Sequence, residues 1–258
     1  MSRQHLHLPQ LAPGEPFPDV GKAWGPQSPA CGLLAAGGRL DVPTLLRAYS
    51  SGIFPWFSEG QPILWWSTDP RMVLDVSQFK LRRSLKQALQ RFMRDGKCEI
   101  RIDSAFAQVI AACAQSLRGS SLAESPGTWI VPDMVTAYLA LHRAGFAHSV
   151  ETWVDGKLVG GLYCVALGQA VFGESMFSLQ TDASKIALAA LICFCRHHGI
   201  QLIDCQQNTG HLASLGAAEM ARSAFLAHVK TNAAQPAPLW HFDNLYWHEL
   251  TPSTALPT

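Results

Sequence analysis

The stretch of sequence that decides the fold is VETWVDGKLVGGLYCVALGQAVFGESMFS, residues 150–178. Its first residues alternate apolar and polar side chains, which is the period of a half-buried β-strand. Asp155-Gly156 is a strong hairpin signal, and Gly168-Gln169 marks a second turn. The stretch therefore predicts three consecutive antiparallel strands, over residues 150–154, 158–167 and 170–177.

The segments around these strands have mostly helical patterns. An N-cap Asp41 followed by an early proline begins one helix. A long amphipathic helix is predicted from Ser77 to Arg94, with leucines and Phe92 in one apolar stripe. Further elements are predicted as a helix from Asp103 to Leu117, a Gly/Ser-rich loop over 118–127, a helix from Pro132 to Gly145, a helix from Asp182 to Gly199, a strand over 200–206, a helix from Thr209 to Gly216, and a strand or helix over 221–230.

Proline and tryptophan are concentrated near the N-terminus, which indicates a separate small domain. Residues 1–70 hold ten of the 16 prolines and four of the 8 tryptophans. Three strands, a helix and a further strand then predict a mixed sheet, with the last strand parallel to its neighbour. We predict an α+β protein with domains at residues 1–70 and 71–230 and a loosely ordered tail at 231–258, which Trp240 and Trp247 can tie down.

Composition excludes a disordered chain and a bulk polyanion binder. Hydrophobic residues make up 48% and charged residues only 15%, and Lys+Arg 20 against Asp+Glu 19 leaves a net charge of +1. The N-terminus lacks the apolar core of a signal peptide, no run of 18 apolar residues occurs, and the seven cysteines follow no framework spacing. We expect a cytoplasmic monomer with reduced thiols and no membrane span.

Two polar groups within apolar strands are the first candidates for chemistry. Asp204 and Gln206 lie two apart on a predicted strand, so they share a face, and a carboxylate there can bind or deprotonate an amine. The alternative is an Asp that only satisfies the following turn. Glu174 lies beside Gly173 in another apolar strand; buried glutamates are rare unless paired, and an outward-facing Glu is the alternative.

Charge and aromatic clusters point to a nucleic-acid partner. The predicted helix 77–94 carries six basic residues and no acidic residue, which leaves a net −5 for the rest of the chain. A basic face opposite an apolar stripe fits phosphate contacts; an ordinary solvated face is the alternative. Loop aromatics near Trp56, Trp65 and Trp129 can stack nucleobases, or they can attach the N-terminal segment to the body.

Two weaker patterns resemble a metal site and a thiol nucleophile, and neither has the context that such chemistry needs. The run CFCRHH at 193–198 lies within a predicted helix and has no second ligand pair at zinc spacing. Cys205 with His211 can be a nucleophile and base, but a buried structural cysteine is the better interpretation. No phosphate-loop or dinucleotide glycine motif occurs. We expect no metal and no cofactor.

Six short motifs in a fixed order carry a resemblance over roughly residues 17–230. They are FPWF (54–57), LWWS (64–67), GESMFS (173–178), ASK (183–185), LIDCQ (202–206) and HLASLG (211–216). The chain resembles the bacterial leucyl/phenylalanyl-tRNA–protein transferases. The resemblance implies transfer of leucine or phenylalanine, with methionine as a further candidate, from leucyl-tRNA or phenylalanyl-tRNA to the N-terminal Arg or Lys of a protein, marking it for degradation.

The resemblance also implies a fold and site residues. The main domain is similar to the N-acetyltransferase (GNAT) fold, whose coenzyme-A signature is not intact here. The catalytic residues implied are Asp204, Gln206 and Glu174. Trp56 and Trp129 match the tryptophans that hold the terminal adenosine. Positions lining the aminoacyl side-chain pocket are Leu162, Val171, Leu188, Leu191 and Ile203. The tRNA backbone is met by Arg82, Arg83, Lys86 and Arg91.

The mechanism implied is direct aminoacyl transfer, in which Asp204 holds the acceptor's α-ammonium and helps take its proton. Gln206 orients the amine or stabilises the oxyanion, and Glu174 supports Asp204 or meets the acceptor's basic side chain. Two departures from the family pattern are Leu179, where a basic residue is usual, and Val171, which replaces an aromatic. A coenzyme-A-dependent N-acetyltransferase and a non-catalytic tRNA-binding module are the alternatives.

Overall fold

A computed structural model describes residues 7–116 and 130–250 of the chain. The strands run β1 (Gln10–Leu11), β2 (Leu33–Gly37), β3 (Phe54–Pro55), β4 (Leu64–Trp66), β5 (Arg71–Asp75), β6 (Cys98–Ile102), β7 (Ala147–Val154), β8 (Lys157–Leu167), β9 (Ala170–Ser178), β10 (Leu202–Gln206) and β11 (Ala218–Met220). The α-helices run α1 (Val42–Ser50), α2 (Arg83–Arg94), α3 (Phe106–Gln115), α4 (Pro132–Arg143), α5 (Ala183–His197), α6 (Gly210–Leu215) and α7 (Arg222–Asn232).

The strands form two sheets. A small sheet has the order β1-β2-β4-β3, and a seven-stranded sheet has the order β11-β5-β10-β9-β8-β7-β6. In the large sheet β9 and β10 are parallel, and every other neighbouring pair in it is antiparallel. The α+β fold class, the three consecutive antiparallel strands and the parallel fourth strand are confirmed. The domain boundaries stay a prediction.

Several predicted helix ends are also confirmed. Asp41 caps α1 by accepting a hydrogen bond from the Thr44 amide, and Thr209 caps α6 through the Leu212 amide. Gly216 ends α6 with φ of 108°, a conformation that favours glycine. The segment over 221–230, which was open between strand and helix, is helical in α7.

The start of the basic helix was predicted wrongly. α2 begins at Arg83 and not after Ser77, because Asp75 accepts hydrogen bonds from the backbone and hydroxyl of Ser77 and closes a short 3₁₀ turn over Val76–Gln78. The chain then continues in extended form, and the Lys80 amide donates to the Leu215 carbonyl. Only four of the six basic residues therefore lie on the helix itself.

Asp103 was also assigned wrongly as a helix cap. α3 begins at Phe106 after Ala105, without a side-chain cap. Asp103 instead accepts hydrogen bonds from Ser149 N at 2.8 Å and contacts His148 Nδ1 at 2.7 Å. The loop predicted over 118–127 lies outside the described residues. Strands β5, β6 and β11 were not predicted, because short runs with charged residues carry little periodicity.

The large sheet has a hydrophobic core on each face. One core joins the small sheet, α1, α3, α4 and α7 to residues such as Tyr163 and Phe172. The other lies under α5 and α2 and contains residues such as Val171 and Ile203. Because successive strand residues face opposite sides, neighbouring residues of β9 and β10 belong to different cores.

The segment that follows α7 is attached to the second core and is not loose over its described part. Trp240 stacks on His148 with ring centroids 4.0 Å apart and on Phe194 at 4.7 Å. Trp247 packs on Phe92 and Phe242. The prediction that these two tryptophans tie the tail down is confirmed. Among residues 7–116 and 130–250, no helix has the length and apolar character needed to cross a membrane.

The stacking of Trp240 predicts that the tail contributes to stability. We expect Trp240→Ala to lower the free energy of unfolding by about 2 kcal/mol, through lost apolar burial and two lost ring contacts. Leu239→Ala is the matched control, because Leu239 is 82% exposed, and its effect should stay within about 0.5 kcal/mol. Equal effects of both substitutions in chemical denaturation would contradict the docking of the tail.

Candidate active site

Asp204 is buried and bound to an arginine that the sequence patterns did not single out. Its carboxylate oxygens accept hydrogen bonds from Arg71 Nε at 2.8 Å and Arg71 Nη2 at 2.7 Å. Arg71 is fully buried, and Asp204 is 2% exposed. A two-pronged pair of this kind is strong, and removing one partner leaves an uncompensated buried charge. The role predicted for Asp204, holding the acceptor's ammonium, stays a prediction, and both of its carboxylate oxygens already accept a hydrogen bond from Arg71.

Gln206 lies beside Asp204 at the end of β10. Its backbone has φ of 56°, and its amide N–H donates to Asp204 Oδ1 at 3.0 Å. Its carbonyl accepts from the Thr68 hydroxyl at 2.9 Å. The pairing of β10 with β5 shifts between Asp204 and Gln206, which is the signature of a β-bulge. The bulge turns the Gln206 side chain, whose Nε2 lies 3.4 Å from Glu174 Oε1.

Glu174 occupies a second bulge on the neighbouring strand. In the β8–β9 pairing Tyr163 is opposite Ser175 and Cys164 is opposite Gly173, so Glu174 is the extra residue. Its oxygens accept hydrogen bonds from Tyr49 at 2.7 Å and Tyr138 at 3.0 Å. The two adjacent bulges therefore bring together Glu174, Asp204 and Gln206, which we call the carboxylate site.

The surroundings of Glu174 make it titratable near neutral pH. Burial raises its pKa to about 7, and the negative charge of Asp204 acts in the same direction. Hydrogen bonds from Tyr49 and Tyr138 and the charge of Arg71 oppose the rise. The two tyrosine hydroxyls also contact each other. The three contacts among Tyr49, Tyr138 and Glu174 need three protons, and the two phenols supply only two. A proton on Glu174 therefore allows all three contacts to be hydrogen bonds.

The five residues predicted to line the side-chain pocket do lie together, but on the other face of the sheet. Leu162, Val171, Leu188, Leu191 and Ile203 all belong to the core under α5, and each is at most 5% exposed. Alternation along β10 accounts for this, because Ile203 precedes Asp204 and faces the opposite side.

Backbone pairing between the parallel strands β9 and β10 is short. β9 and β10 pair only at Val171–Ile203 and Phe172–Asp204, although β9 runs on to Ser178 and β10 to Gln206. We call the unpaired region beyond these residues the strand gap. Met176, which the sequence patterns missed, is partly buried and packs against the apolar core next to this gap. Met176 lies opposite Leu162 in the β8–β9 pairing, so a prediction of that pairing would have identified it.

The aromatic motifs divide into one exposed ring and several buried ones. Trp56 is 37% exposed and packs edge-on against Trp66, with ring centroids 5.3 Å apart. Phe54, Phe57 and Trp65 are buried in the core, so for them the attachment interpretation is correct. Trp129 lies outside the described residues.

The predicted tRNA-contacting residues form an exposed basic face at the start and along the outside of α2. We use the name basic face for Arg82, Arg83, Lys86 and Arg91. All four are exposed, and in the part of the chain that the structure describes none of them forms an ion pair. Arg82 is the N-cap position of α2 and not a residue of its interior.

The remaining cysteine candidates do not form a reactive site. Burial raises the pKa of the Cys205 thiol far above its ordinary value, so a thiolate nucleophile is disfavoured there. Cys193 and Cys195 are buried within α5, and burial raises the pKa of both thiols, that of Cys193 to about 12. Within residues 7–116 and 130–250, no group of three or more His, Cys, Asp or Glu side chains could hold a metal ion.

A buried carboxylate with a pKa of about 7, held beside Asp204 and Gln206, is suited to proton transfer in an enzyme, and the relatives of this chain are transferases. The chain belongs to the leucyl/phenylalanyl-tRNA protein transferase family. The model of that family matches residues 73–230, and the model of its N-terminal domain matches residues 38–69. The predicted family and enzyme class are confirmed.

Relatives of high identity support this assignment along nearly the whole chain. Proteins described as leucyl/phenylalanyl-tRNA–protein transferase include one from Polaromonas sp., 64% identical and covering 94% of both chains, and one from Albidiferax ferrireducens, 62% identical and covering 100% of both. One from Leptothrix cholodnii is 57% identical over 94% of both chains.

Solved structures show only weak similarity. L-PGS from Bacillus licheniformis matches with a TM-score of 0.36 and 11% identity over 68% of this chain and 54% of that one. A GCN5-related N-acetyltransferase from Kribbella flavida matches with a TM-score of 0.33 and 10% identity over 68% of this chain and 60% of that one. Similarity at this level carries no weight for the function of this chain.

The raised pKa of Glu174 predicts a specific dependence of stability on pH. In the folded protein the Glu174 carboxyl has a pKa of about 7, whereas the ordinary value is 4.5. Its contribution to the free energy of unfolding is therefore fully present below pH 4.5 and is lost as the pH rises through 7. The unfolding free energy of Glu174→Gln minus that of wild type should therefore increase over this interval and level off above it. Glu59→Gln, which removes an exposed carboxyl, should give a flat difference in urea denaturation, and a flat difference for Glu174→Gln would contradict the burial argument.

Proposed function

We propose that this chain transfers leucine, phenylalanine or methionine from aminoacyl-tRNA to the N-terminal Arg or Lys of acceptor proteins. The observation that carries the proposal is the carboxylate site, where Glu174 with a pKa of about 7 lies next to the strand gap. A group that titrates near the working pH is suited to accept and return a proton. The family assignment supports the tRNA donor and the protein acceptor.

The donor needs little further activation, because an aminoacyl ester is already reactive and positioning supplies much of the rate. The apolar side chain enters the strand gap beside Met176 and extends toward Leu188, Leu191 and Ile203, with Leu162 and Val171 behind them. A pocket of this kind separates leucine, phenylalanine and methionine only modestly, since one methylene is worth about 1–3 kcal/mol.

Glu174 is the proton acceptor in this proposal. It takes a proton from the acceptor's α-ammonium, and the free amine attacks the ester carbonyl. As the new C–N bond forms, the nitrogen releases its second proton to solvent, the bond from the carbonyl carbon to the ribose oxygen breaks, and protonated Glu174 gives its proton to that oxygen. Tyr49 and Tyr138 hold the carboxylate in place through hydrogen bonds of 2.7 and 3.0 Å.

Gln206 and Asp204 complete the catalytic group. The Gln206 amide, 3.4 Å from Glu174, is close enough to orient the amine or donate to the developing oxyanion. Asp204 acts on Gln206 through the hydrogen bond that Asp204 Oδ1 accepts from its backbone. Trp56, together with Trp129, stacks the terminal adenosine, an interaction that commonly contributes about 1–3 kcal/mol per base.

The basic face holds the tRNA backbone. Its four cations are exposed and free of ion pairs among the described residues, so their charge is available to phosphates. The site requires no metal in this proposal, and we expect the protein to act as a cytoplasmic monomer.

One assay tests the proposed reaction against both alternatives. Labelled leucyl-tRNA is incubated with an Arg-starting peptide, with and without ribonuclease, and a parallel reaction contains labelled acetyl-CoA. We expect leucyl-peptide, its loss after ribonuclease, and no acetylation. Glu174→Gln should lower kcat by roughly 10²–10⁴-fold while tRNA binding is kept, and Glu59→Gln should leave kcat unchanged. Acetylation alone, or tRNA binding without transfer, would contradict the proposal.

A second prediction concerns the basic face. Reversing the charge of Arg82, Arg83 and Lys86 should weaken tRNA binding and reduce the slope of log affinity against log salt by about 2–3, because each lost phosphate contact contributes about 0.7–0.9. Lys230→Glu is the control, since Lys230 is exposed on α7, which packs on the other face of the sheet. An unchanged slope in the triple variant would remove α2 from the interface.

A further inference from the structure

Arg71 is a fully buried arginine whose side chain joins three parts of the protein. Besides its two hydrogen bonds to Asp204, Nη1 donates to the Gly52 carbonyl at 3.1 Å. The guanidinium lies over the ring of Phe54 at 4.7 Å and over that of Phe225 at 4.6 Å. Arg71 is the first residue of β5 in the large sheet. It therefore contacts strand β10, helix α7 and the loop after α1 at once.

A chain of hydrogen bonds leads from Arg71 to the site of proton transfer. Asp204 Oδ1, which Arg71 Nε contacts at 2.8 Å, also accepts the Gln206 amide at 3.0 Å. The Gln206 side chain then lies 3.4 Å from Glu174 Oε1. Gln206 has a positive φ, which is unfavourable for a residue with a side chain. The hydrogen bonds on both sides of this residue hold the conformation in place.

We propose that Arg71 is a positioning residue of the transfer reaction. Its guanidinium fixes the Asp204 carboxylate, and that carboxylate fixes the backbone of Gln206 so that the Gln206 amide faces Glu174. Asp204 consequently acts as an acceptor of protein hydrogen bonds and does not receive the proton of the substrate amine. This inference rests on the proposed function.

The planar fork of arginine is what this role requires. Two parallel N–H groups match two carboxylate oxygens, whereas the ammonium of lysine is a single point of charge on a flexible stem. Arg71→Lys therefore keeps the buried charge but loses the fixed orientation of Asp204. The substitution separates positioning from simple neutralisation of the Asp204 charge.

A purely structural role is the competing explanation, because Arg71 also joins the small sheet to α7. Arg222 offers a matched control. It lies at the same junction, where Nη1 donates to the Ser67 carbonyl at 2.7 Å and Nη2 is 3.9 Å from Asp69 Oδ2. No hydrogen bond or ion pair joins Arg222 to Asp204 among the described residues. Arg222→Lys should perturb the junction without reaching the carboxylate site.

The experiment measures kcat, KM for leucyl-tRNA and thermal unfolding for wild type, Arg71→Lys, Asp204→Asn, their double variant and Arg222→Lys. We expect Arg71→Lys to lower kcat about 30–300-fold with KM changed less than about 3-fold, as for an interaction that matters only in the transition state. The double variant should be no worse than the poorer single variant, because the two residues act as a unit. Arg222→Lys should keep kcat within about 2-fold.

Each other outcome overturns the inference. Wild-type kcat in Arg71→Lys, losses that multiply in the double variant, or a kcat loss in Arg222→Lys equal to that in Arg71→Lys would each assign Arg71 a structural role only. Should Arg71→Lys fail to fold, Arg71→Gln/Asp204→Asn removes both buried charges together, and full activity in that variant contradicts the proposal. Absence of transfer by wild type would instead contradict the proposed function itself.

Discussion

The buried ion pair between Arg71 and Asp204 is the interaction on which the arrangement of the site depends. It lies on the side of the first core, at the point where the small sheet, α7 and the parallel strand β10 meet. An unpaired charge in this position would be strongly destabilising, so the two residues hold each other in one geometry. Gln206, and through it the contact with Glu174, takes its position from that geometry.

The two bulges explain how polar side chains come together next to an apolar core. One bulge turns Glu174 toward Tyr49 and Tyr138, and the other turns Gln206 toward Glu174. Backbone pairing between β9 and β10 ends just there. An aminoacyl group placed across the strand gap would have its carbonyl on the polar face and its side chain on the apolar one. The site thus follows from local departures from strand regularity.

Alternation and turn signals in residues 150–178 were sufficient to predict three strands, and short motifs were sufficient to predict the family. The sequence also placed Asp204, Gln206 and Glu174 as candidates, and they do meet. It missed Arg71, Tyr49 and Tyr138, because their role depends on contacts between residues up to 133 positions apart. A cation immediately before the apolar run Met72–Leu74 was the available signal for Arg71. The start of α2 was misjudged because Asp75, not Ser77, closes the preceding turn.

In the proposed mechanism Glu174 faces the reacting amine while Asp204 stays bound to Arg71. A crystal structure with a non-hydrolysable 3′-(phenylalanylamido)adenosine tests it most directly. We predict that the phenylalanyl side chain lies in the strand gap beside Met176, that the carbonyl lies within hydrogen-bond reach of Gln206, and that both Arg71–Asp204 hydrogen bonds persist. A complex in which Asp204 leaves Arg71 to contact the amino acid, or in which the side chain binds away from the strand gap, would contradict the account.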